Sequence, residues 1–474
     1  MADEDAVFDV IVIGAGPVGE IAAARVVRGG LTAAVVEKRL VGGECNYYAC
    51  VPSKALLWPM ELAYAVSRMP GLGLRGPIDT PAVLARRDEV VSNYDDSGYV
   101  DWVEKLPATF VRGHGRLAGP RRVEVTTPDG DVRGLRARHA VVIATGSAPD
   151  VPDVPGLREA RPWTNQEATS VQQVPKRLVV IGGGPVACEM SQALHSLGAL
   201  ETTVIVRDGR LLSRIEPFAG ELLALSFADA GIDVRFGRSP VRVERLDPGG
   251  PVTVHTDDGA RIEADEILVG TGRRLAVDDI GLGTIGLEPE GPIEVDASMR
   301  ATQVPDGWLY ATGDVNGRNL LTHMGKYQAR ICGDVIVARA NGRPDDLPSL
   351  RDTADDRGAP QVIFTDPQVC AVGLSEAQAR AAGFPVRAVE YDLGQVIGAL
   401  LQSPGYTGRA KLVVDEGRRV LLGATFVGPA TVDLLHGATI AVTGEVTLDR
   451  LWHAVPSFPT TSEIWLYLLL ECGL

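Results

Sequence analysis

Two cysteines, Cys45 and Cys50, lie in the segment VGGECNYYACVPSKALL, and thiols at this spacing point to redox or metal chemistry. Pro52-Ser53-Lys54 opens a helix-like run, which puts the pair at a helix N-terminus. There the dipole and the free amides favour a thiolate over a free cysteine pKa of about 8.5. Five residues of regular helix rise about 7.5 Å, whereas bridged Cα atoms lie at most about 6.8 Å apart. A disulfide here has to distort the first turn, and a distorted, accessible disulfide suits a redox role. Two other readings stay open, half of a zinc site and two core thiols. Zinc needs two more ligands at sensible spacing, and no neighbouring His or Cys supplies them. Core packing is the ordinary expectation for Cys188, Cys332, Cys370 and Cys472.

The elements that must position such a pair come from a repeated pattern. In residues 7–38 an apolar strand leads into Gly14-Ala15-Gly16-Pro17-Val18-Gly19, then an Ala-rich helix, then a strand ending at Glu37. In residues 177–210 a strand enters Gly182-Gly183-Gly184-Pro185-Val186-Ala187, followed by a helix and the strand around 203–206. Either glycine motif alone is weak, but each sits in the strand–turn–helix–strand setting of a dinucleotide-binding unit. The first glycine permits the tight turn, the second lets backbone approach a pyrophosphate, and the third (Ala187 in the second copy) allows close packing of helix on strand. The helix N-terminus then offers free N–H groups to the phosphates. The segments HAVVIATG (139–146), DEILVGTG (265–272) and GWLYATGD (307–314) read as strands ending in small-residue turns. Residues 344–360 read as a linker, and a mixed α/β region follows.

The 474 residues suggest about three domains at roughly 150 residues each. Hydrophobic residues make up 45% and charged residues 23%, as in an ordinary globular protein with a large core. Lys and Arg total 46 against 61 Asp and Glu, a net charge of −15, which argues against a nucleic-acid or anionic-membrane partner. The start is acidic and runs straight into a strand pattern, unlike a secretory signal. No run approaches the roughly 18 apolar residues of a spanning helix. A cytoplasmic location is expected, where a close Cys pair is more often catalytic or metal-binding than structural.

Two dinucleotide folds, a Cys-x4-Cys-x-Pro-Ser-Lys segment after the first, an ATG strand and an ATGD strand together resemble the flavoprotein pyridine nucleotide–disulfide oxidoreductases. That family includes dihydrolipoamide dehydrogenase and the glutathione, mycothione and mercuric reductases. The resemblance spans nearly the whole chain. It implies an α/β fold with two Rossmann-like domains, for FAD and NAD(P), and a C-terminal α+β dimerisation domain. The expected division is FAD-binding over 1–155 and 273–345, NAD(P)-binding over 156–272 and interface over 346–474. It further implies that Gly14, Gly16 and Gly19 hold the FAD pyrophosphate, Glu37 the adenosine ribose, Asp314 the ribityl chain, and Thr145-Gly146 a turn near the flavin. Cys45 matches the thiol that attacks substrate, Cys50 the thiolate packed on the flavin, and Lys54 with Glu189 a pair beside the flavin's reactive edge. Gly182 and Gly184 match the nicotinamide cofactor turn. NAD-preferring members end the following strand with a carboxylate; here Arg207 stands there, followed by Arg210 and Arg214. A guanidinium suits a 2′-phosphate, so NADPH is expected, with NADH still open.

The chain also departs from the family. Disulfide-reducing members carry His-Pro-Thr-x-Ser-Glu near the C-terminus, the His acting as acid–base and the Glu orienting it. This chain reads SFPTTSE, with Phe458 at the His position and Glu463 kept. Phe moves no proton, and such help is typically worth about 10²–10⁴-fold, so ordinary dithiol–disulfide turnover is expected to be impaired unless another group steps in; Glu463 is the nearest candidate by sequence. The vicinal cysteine pair of the mercuric reductase tail is absent, because Cys472 stands alone. Glu44 replaces a usual Thr, and Tyr47 and Tyr48 stand where small residues are common; substrate contact and packing are both open for them. The expected enzyme is a homodimer that passes electrons from NADPH through FAD to the Cys45–Cys50 disulfide. From there they reach a small-molecule or protein disulfide or another electron acceptor. The alternatives are a mercuric-reductase-like metal reductase, a quinone or diaphorase-type reductase or biosynthetic oxidase, and a lipoamide-dehydrogenase-like subunit that docks in a complex. No resident metal is expected.

Overall fold

The computed structural model describes residues 5–73 and 76–474. The described residues fall into two compact units, one drawn from 5–51, 91–148 and 273–355, the other from 52–73, 76–90, 149–272 and 356–474.

The first unit is built on a seven-stranded sheet. Its centre is parallel: Ala6–Ile13 lies between Ala33–Glu37 and Val132–Ile143, and Thr109–Arg112 and Leu309–Ala311 extend the parallel pairing. Val10, Ile11 and Val12 are fully buried. A continuous apolar run of this kind is what a strand with both faces covered requires. Arg122–Thr126 and His114–Leu117 close one edge as an antiparallel meander. On one face the helices Pro17–Arg28 and Thr322–Ala340 pack together, with Ala22, Val26, Ala329 and Ile336 in a shared core.

The second unit contains a four-stranded parallel sheet ordered Asp233–Phe236, Glu201–Val206, Arg177–Ile181, Glu266–Val269. The helix Pro185–Ser196 follows its glycine turn. A three-stranded antiparallel sheet over 240–264 and a five-stranded antiparallel sheet over 360–428 complete the unit. The helices Val432–Thr443 and Ile464–Glu471 share the core of the five-stranded sheet through Leu435, Ala438 and Leu468. Among the described residues, no helix is long and apolar enough to cross a membrane.

Candidate active site

In the first unit the predicted residues gather at the carboxyl ends of the parallel strands, where open α/β sheets bind ligands. Gly14 follows Ile13, Thr145 and Gly146 follow Ile143, and Asp314 follows Ala311. Gly14 has φ +101°, and a Cβ there would land on the Ala144 carbonyl oxygen; a Cβ on Gly19 would land on the Gly14 carbonyl oxygen. Both glycines are therefore required by the turn itself. Gly16 is the extended N-cap of Pro17–Arg28, without a side-chain cap, so the first amides of this helix are left for a ligand. The Glu37 carboxylate is aimed at this turn, accepting from the Ala15 N–H at 2.8 Å and the Arg39 N–H at 2.7 Å. Thr145 donates its hydroxyl to the Ala276 carbonyl at 2.7 Å. Asp314 accepts from Ser147, whose hydroxyl also accepts from Arg273 Nε at 2.6 Å. Burial pushes the Asp314 carboxyl up, against the pull of Ser147 and Arg273. Arg273 in turn pairs with Glu44. This cradle of tight glycine turns, uncapped amides and aimed carboxylates fits a dinucleotide.

The cysteine pair departs from the expected geometry. No regular helix joins the two residues: Cys45 sits in the short helix Gly43–Tyr47, the chain breaks at Tyr48 with φ −135°, and Cys50 begins the next helix, Cys50–Arg68. The expected distortion is thus a full interruption. It is held by aromatic packing, with Tyr47 buried at an edge-on 6.2 Å from Tyr99 and Tyr48 stacked 5.4 Å from Tyr94. The two sulfurs meet at one hydroxyl. Thr322 Oγ1 donates to Cys45 Sγ at 3.2 Å and lies 3.4 Å from Cys50 Sγ. The expectation that helix amides favour a thiolate does not hold for Cys45. Its thiol is pushed up, first by its hydrogen bond to Cys50 and next by burial, while Thr322 and Lys326 pull the other way.

The second unit holds the remaining predicted residues. Gly182 and Gly184 repeat the first turn: Gly182 has φ +126° with its Cβ position taken by the Gly270 carbonyl oxygen, and Gly184 is an extended, uncapped N-cap. Arg207 leaves the carboxyl end of Glu201–Val206 and is 87% exposed, with Asp208 3.8 Å away. Arg210 is tied to the Ser213 carbonyl at 2.7 Å, and Arg214 is exposed. Lys54 and Glu189 are brought together at 2.8 Å, although 135 positions apart in sequence. Glu189 also accepts from the Phe364 N–H at 2.8 Å, and Lys54 Nζ lies 4.8 Å from the Phe364 ring centroid. Glu463 is buried just before Ile464–Glu471, and Phe458 is exposed.

The Lys54–Glu189 pair carries an energetic expectation. Glu189 is 8% exposed and Lys54 33%. Removing one partner of a buried pair typically costs 3–5 kcal/mol; with Lys54 partly solvated, Lys54→Met should cost about 1–3 kcal/mol. Adding Glu189→Gln to Lys54→Met should recover much of the thermal stability, because the orphaned charge is then gone. Double-mutant losses that simply add would show that the two groups do not interact.

Two residues of these surroundings carry no motif. Thr322 opens a helix in an unremarkable LLTH string, and Arg273 belongs to a surface-like Arg-Arg pair. Neither left a signal.

The profile of the family described as pyridine nucleotide-disulphide oxidoreductase matches residues 8–341, and that of its dimerisation domain matches residues 359–468. The dihydrolipoyl dehydrogenase of Chlamydia muridarum is 32% identical over 465 residues, covering 97% of this chain and 95% of its own. The mercuric reductase of Streptomyces lividans is 33% identical over 458 residues, covering 94% and 93%. Among solved structures, LpdA from Mycobacterium tuberculosis superposes with a TM-score of 0.83 at 23% identity, covering 98% of this chain and 99% of that one. The HOCl-induced flavoprotein disulfide reductase RclA from Escherichia coli gives 0.82 at 20% identity, covering 98% and 99%. The fold is thus that of the flavoprotein disulfide reductases, and the chain belongs to the pyridine nucleotide–disulphide oxidoreductases, FAD-dependent enzymes that use NAD(P)H.

Proposed function

We propose that this enzyme reduces disulfides at the expense of NADPH, with Cys45 and Cys50 as its redox pair. The observation that carries the reading is the meeting of both sulfurs at the Thr322 hydroxyl, 3.2 and 3.4 Å away. Gly14, Gly16, Gly19, Glu37, Thr145, Gly146 and Asp314 would hold FAD. FAD, when bound, supplies a carrier that accepts a hydride and passes an electron pair on to a disulfide. Gly182 and Gly184 would take the pyrophosphate of the nicotinamide cofactor, and the exposed Arg207 and Arg214 its 2′-phosphate. The Glu189 carboxylate would hold the Lys54 ammonium in place as a fixed cation. Cys45 would attack the acceptor and Cys50 would resolve the mixed disulfide. The dimerisation domain supports a homodimer, and the net charge of −15 speaks against nucleic-acid or anionic-membrane partners. The acceptor class rests on the cysteine pair and on relatives named for dihydrolipoyl dehydrogenase and mercuric reductase activities.

The test is an anaerobic NADPH titration followed by a panel of disulfides, quinones and Hg²⁺. Two electrons should produce a long-wavelength thiolate absorption. Disulfides should then consume NADPH fastest, and NADPH should exceed NADH in kcat/KM by about tenfold or more, a difference of about 1.4 kcal/mol. Rapid quinone reduction with inert disulfides would overturn the reading.

A further inference from the structure

Glu44 stands immediately before Cys45, in the first turn of Gly43–Tyr47, yet the redox chemistry of its neighbour gives it no task. Its carboxylate accepts from Nη2 of Arg273, 229 positions away. The same Nη2 donates to the Ser147 carbonyl at 2.8 Å, and Arg273 Nε donates to the Ser147 hydroxyl at 2.6 Å. Three segments of the first unit therefore meet at one guanidinium: the helix of Cys45, the chain just after Gly146, and the strand Arg273–Leu275.

The direction of these hydrogen bonds is fixed. A guanidinium only donates, and a serine hydroxyl has a single hydrogen. Ser147 Oγ accepts from Arg273 Nε, so its hydrogen points to Asp314 Oδ2. Asp314 is thereby engaged at one oxygen, and among the described residues its Oδ1 accepts no hydrogen bond. The Asp314 side chain is 23% exposed and Oδ1 is not sealed away, which leaves that oxygen open to a ligand.

Arg273 Nε lies 4.0 Å from Asp314 Oδ2. From there a guanidinium released from its partners would turn onto the carboxylate, because arginine and carboxylate favour a two-pronged pair that takes both oxygens. Such a pair would fill Asp314. Glu44 and the Ser147 carbonyl occupy Nη2 while the Ser147 hydroxyl occupies Nε, and a planar group held at two nitrogens cannot turn.

We propose that Glu44 is a positioning residue for the flavin: it holds the Arg273 guanidinium on Ser147 and off Asp314, so that one oxygen of that carboxylate stays free for the ribityl hydroxyls. The inference rests on the assignment of Asp314 to the ribityl chain, and it does not depend on the electron acceptor. The effect passes through Arg273 and Ser147, and no covalent bond changes.

The test measures the FAD dissociation constant of the full-length protein, from the fluorescence of flavin released when the holoenzyme is diluted. Asp314→Asn should raise that constant about tenfold or more, as expected for loss of hydrogen bonds to a charged group. Glu44→Ala should raise it on the same scale. Arg273→Ala alone should cost less than Glu44→Ala, because no guanidinium is then left to fill Asp314. Adding Glu44→Ala to Arg273→Ala should change nothing beyond about twofold, since Glu44 has lost the group it acts on. An unchanged constant in Glu44→Ala, an Arg273→Ala loss as large as that of Glu44→Ala, or a double variant weaker than Glu44→Ala overturns the role of Glu44 and leaves Asp314 at the flavin. An unchanged constant in Asp314→Asn overturns both, so the two failures are told apart. Should Glu44→Ala not fold, a crystal structure of the wild-type holoenzyme decides. A ribityl hydroxyl on Asp314 Oδ1 with Arg273 on Glu44 supports the role, and Arg273 off Glu44 or turned onto Asp314 ends it.

Discussion

Cys45→Ser should lower disulfide turnover by on the order of 10⁴-fold or more, the scale on which loss of a covalent nucleophile registers. A serine hydroxyl is a far weaker acid than any thiol and offers almost no anion at neutral pH, and its oxygen is no disulfide-forming nucleophile. Thr322 cannot compensate, because its hydroxyl is a hydrogen-bond partner of both sulfurs and not a base. Cys50→Ser should be as damaging by a different route. Cys45 can still attack, but no second sulfur resolves the mixed disulfide, so the enzyme should stall after one turnover with half the substrate attached. Mass spectrometry of the stalled protein therefore separates the two sulfurs: an adduct in Cys50→Ser and none in Cys45→Ser. The coupling between the thiols gives a second check. The Cys45 thiol is pushed up first by its hydrogen bond to Cys50, so Cys50→Ser should lower the pH at which Cys45 alkylates. More than a tenth of wild-type disulfide turnover surviving in Cys45→Ser would show that electrons reach the acceptor without these sulfurs.

What could be read from the sequence was what is local. The two glycine turns are legible because each needs a fixed set of small residues between a strand and a helix, and that demand does not depend on anything distant. The Lys54–Glu189 pair lies 135 positions apart and was legible only through resemblance to a family. The break between Cys45 and Cys50 was hidden, because helix geometry predicts a continuous turn there. It is rings from elsewhere, Tyr94 and Tyr99, that take up Tyr48 and Tyr47 and end the short helix. Thr322 was missed for the same kind of reason. Its meaning lies in which atoms face it across the fold, and a helical pattern records only the face it shares with its own neighbours. Phe458 stands apart: its place in SFPTTSE carries meaning only through the resemblance to a family, and in the structure it is an exposed ring.

The second large effect concerns the Gly14 turn proposed to hold FAD. Gly14→Ala adds one methyl group at φ +101°, where a side chain is strained, and places it on the Ala144 carbonyl oxygen. A left-handed backbone with a Cβ costs about 1–2 kcal/mol, and overpacking a tight site about 1–3 kcal/mol more. Backbone cannot swing aside as a flexible side chain can, so the strand end carrying Thr145 and Gly146 must shift with it. The expected result is protein that unfolds at lower temperature and purifies largely without flavin. Gly16→Ala is the control that separates folding from binding. Its Cβ would lie 3.8 Å from the Gly43 Cα, an ordinary contact, so thermal stability of the flavin-free protein should barely change. Flavin affinity should still fall if Gly16 is where a pyrophosphate must approach the backbone. Gly182→Ala meets the Gly270 carbonyl oxygen in the same way, yet it should leave the protein yellow and impair reduction by NADPH. Flavin content, measured by absorbance, and the NADPH needed for half-reduction would then assign each turn its own cofactor. Loss of flavin from Gly182→Ala, with none from Gly14→Ala, would reverse that assignment.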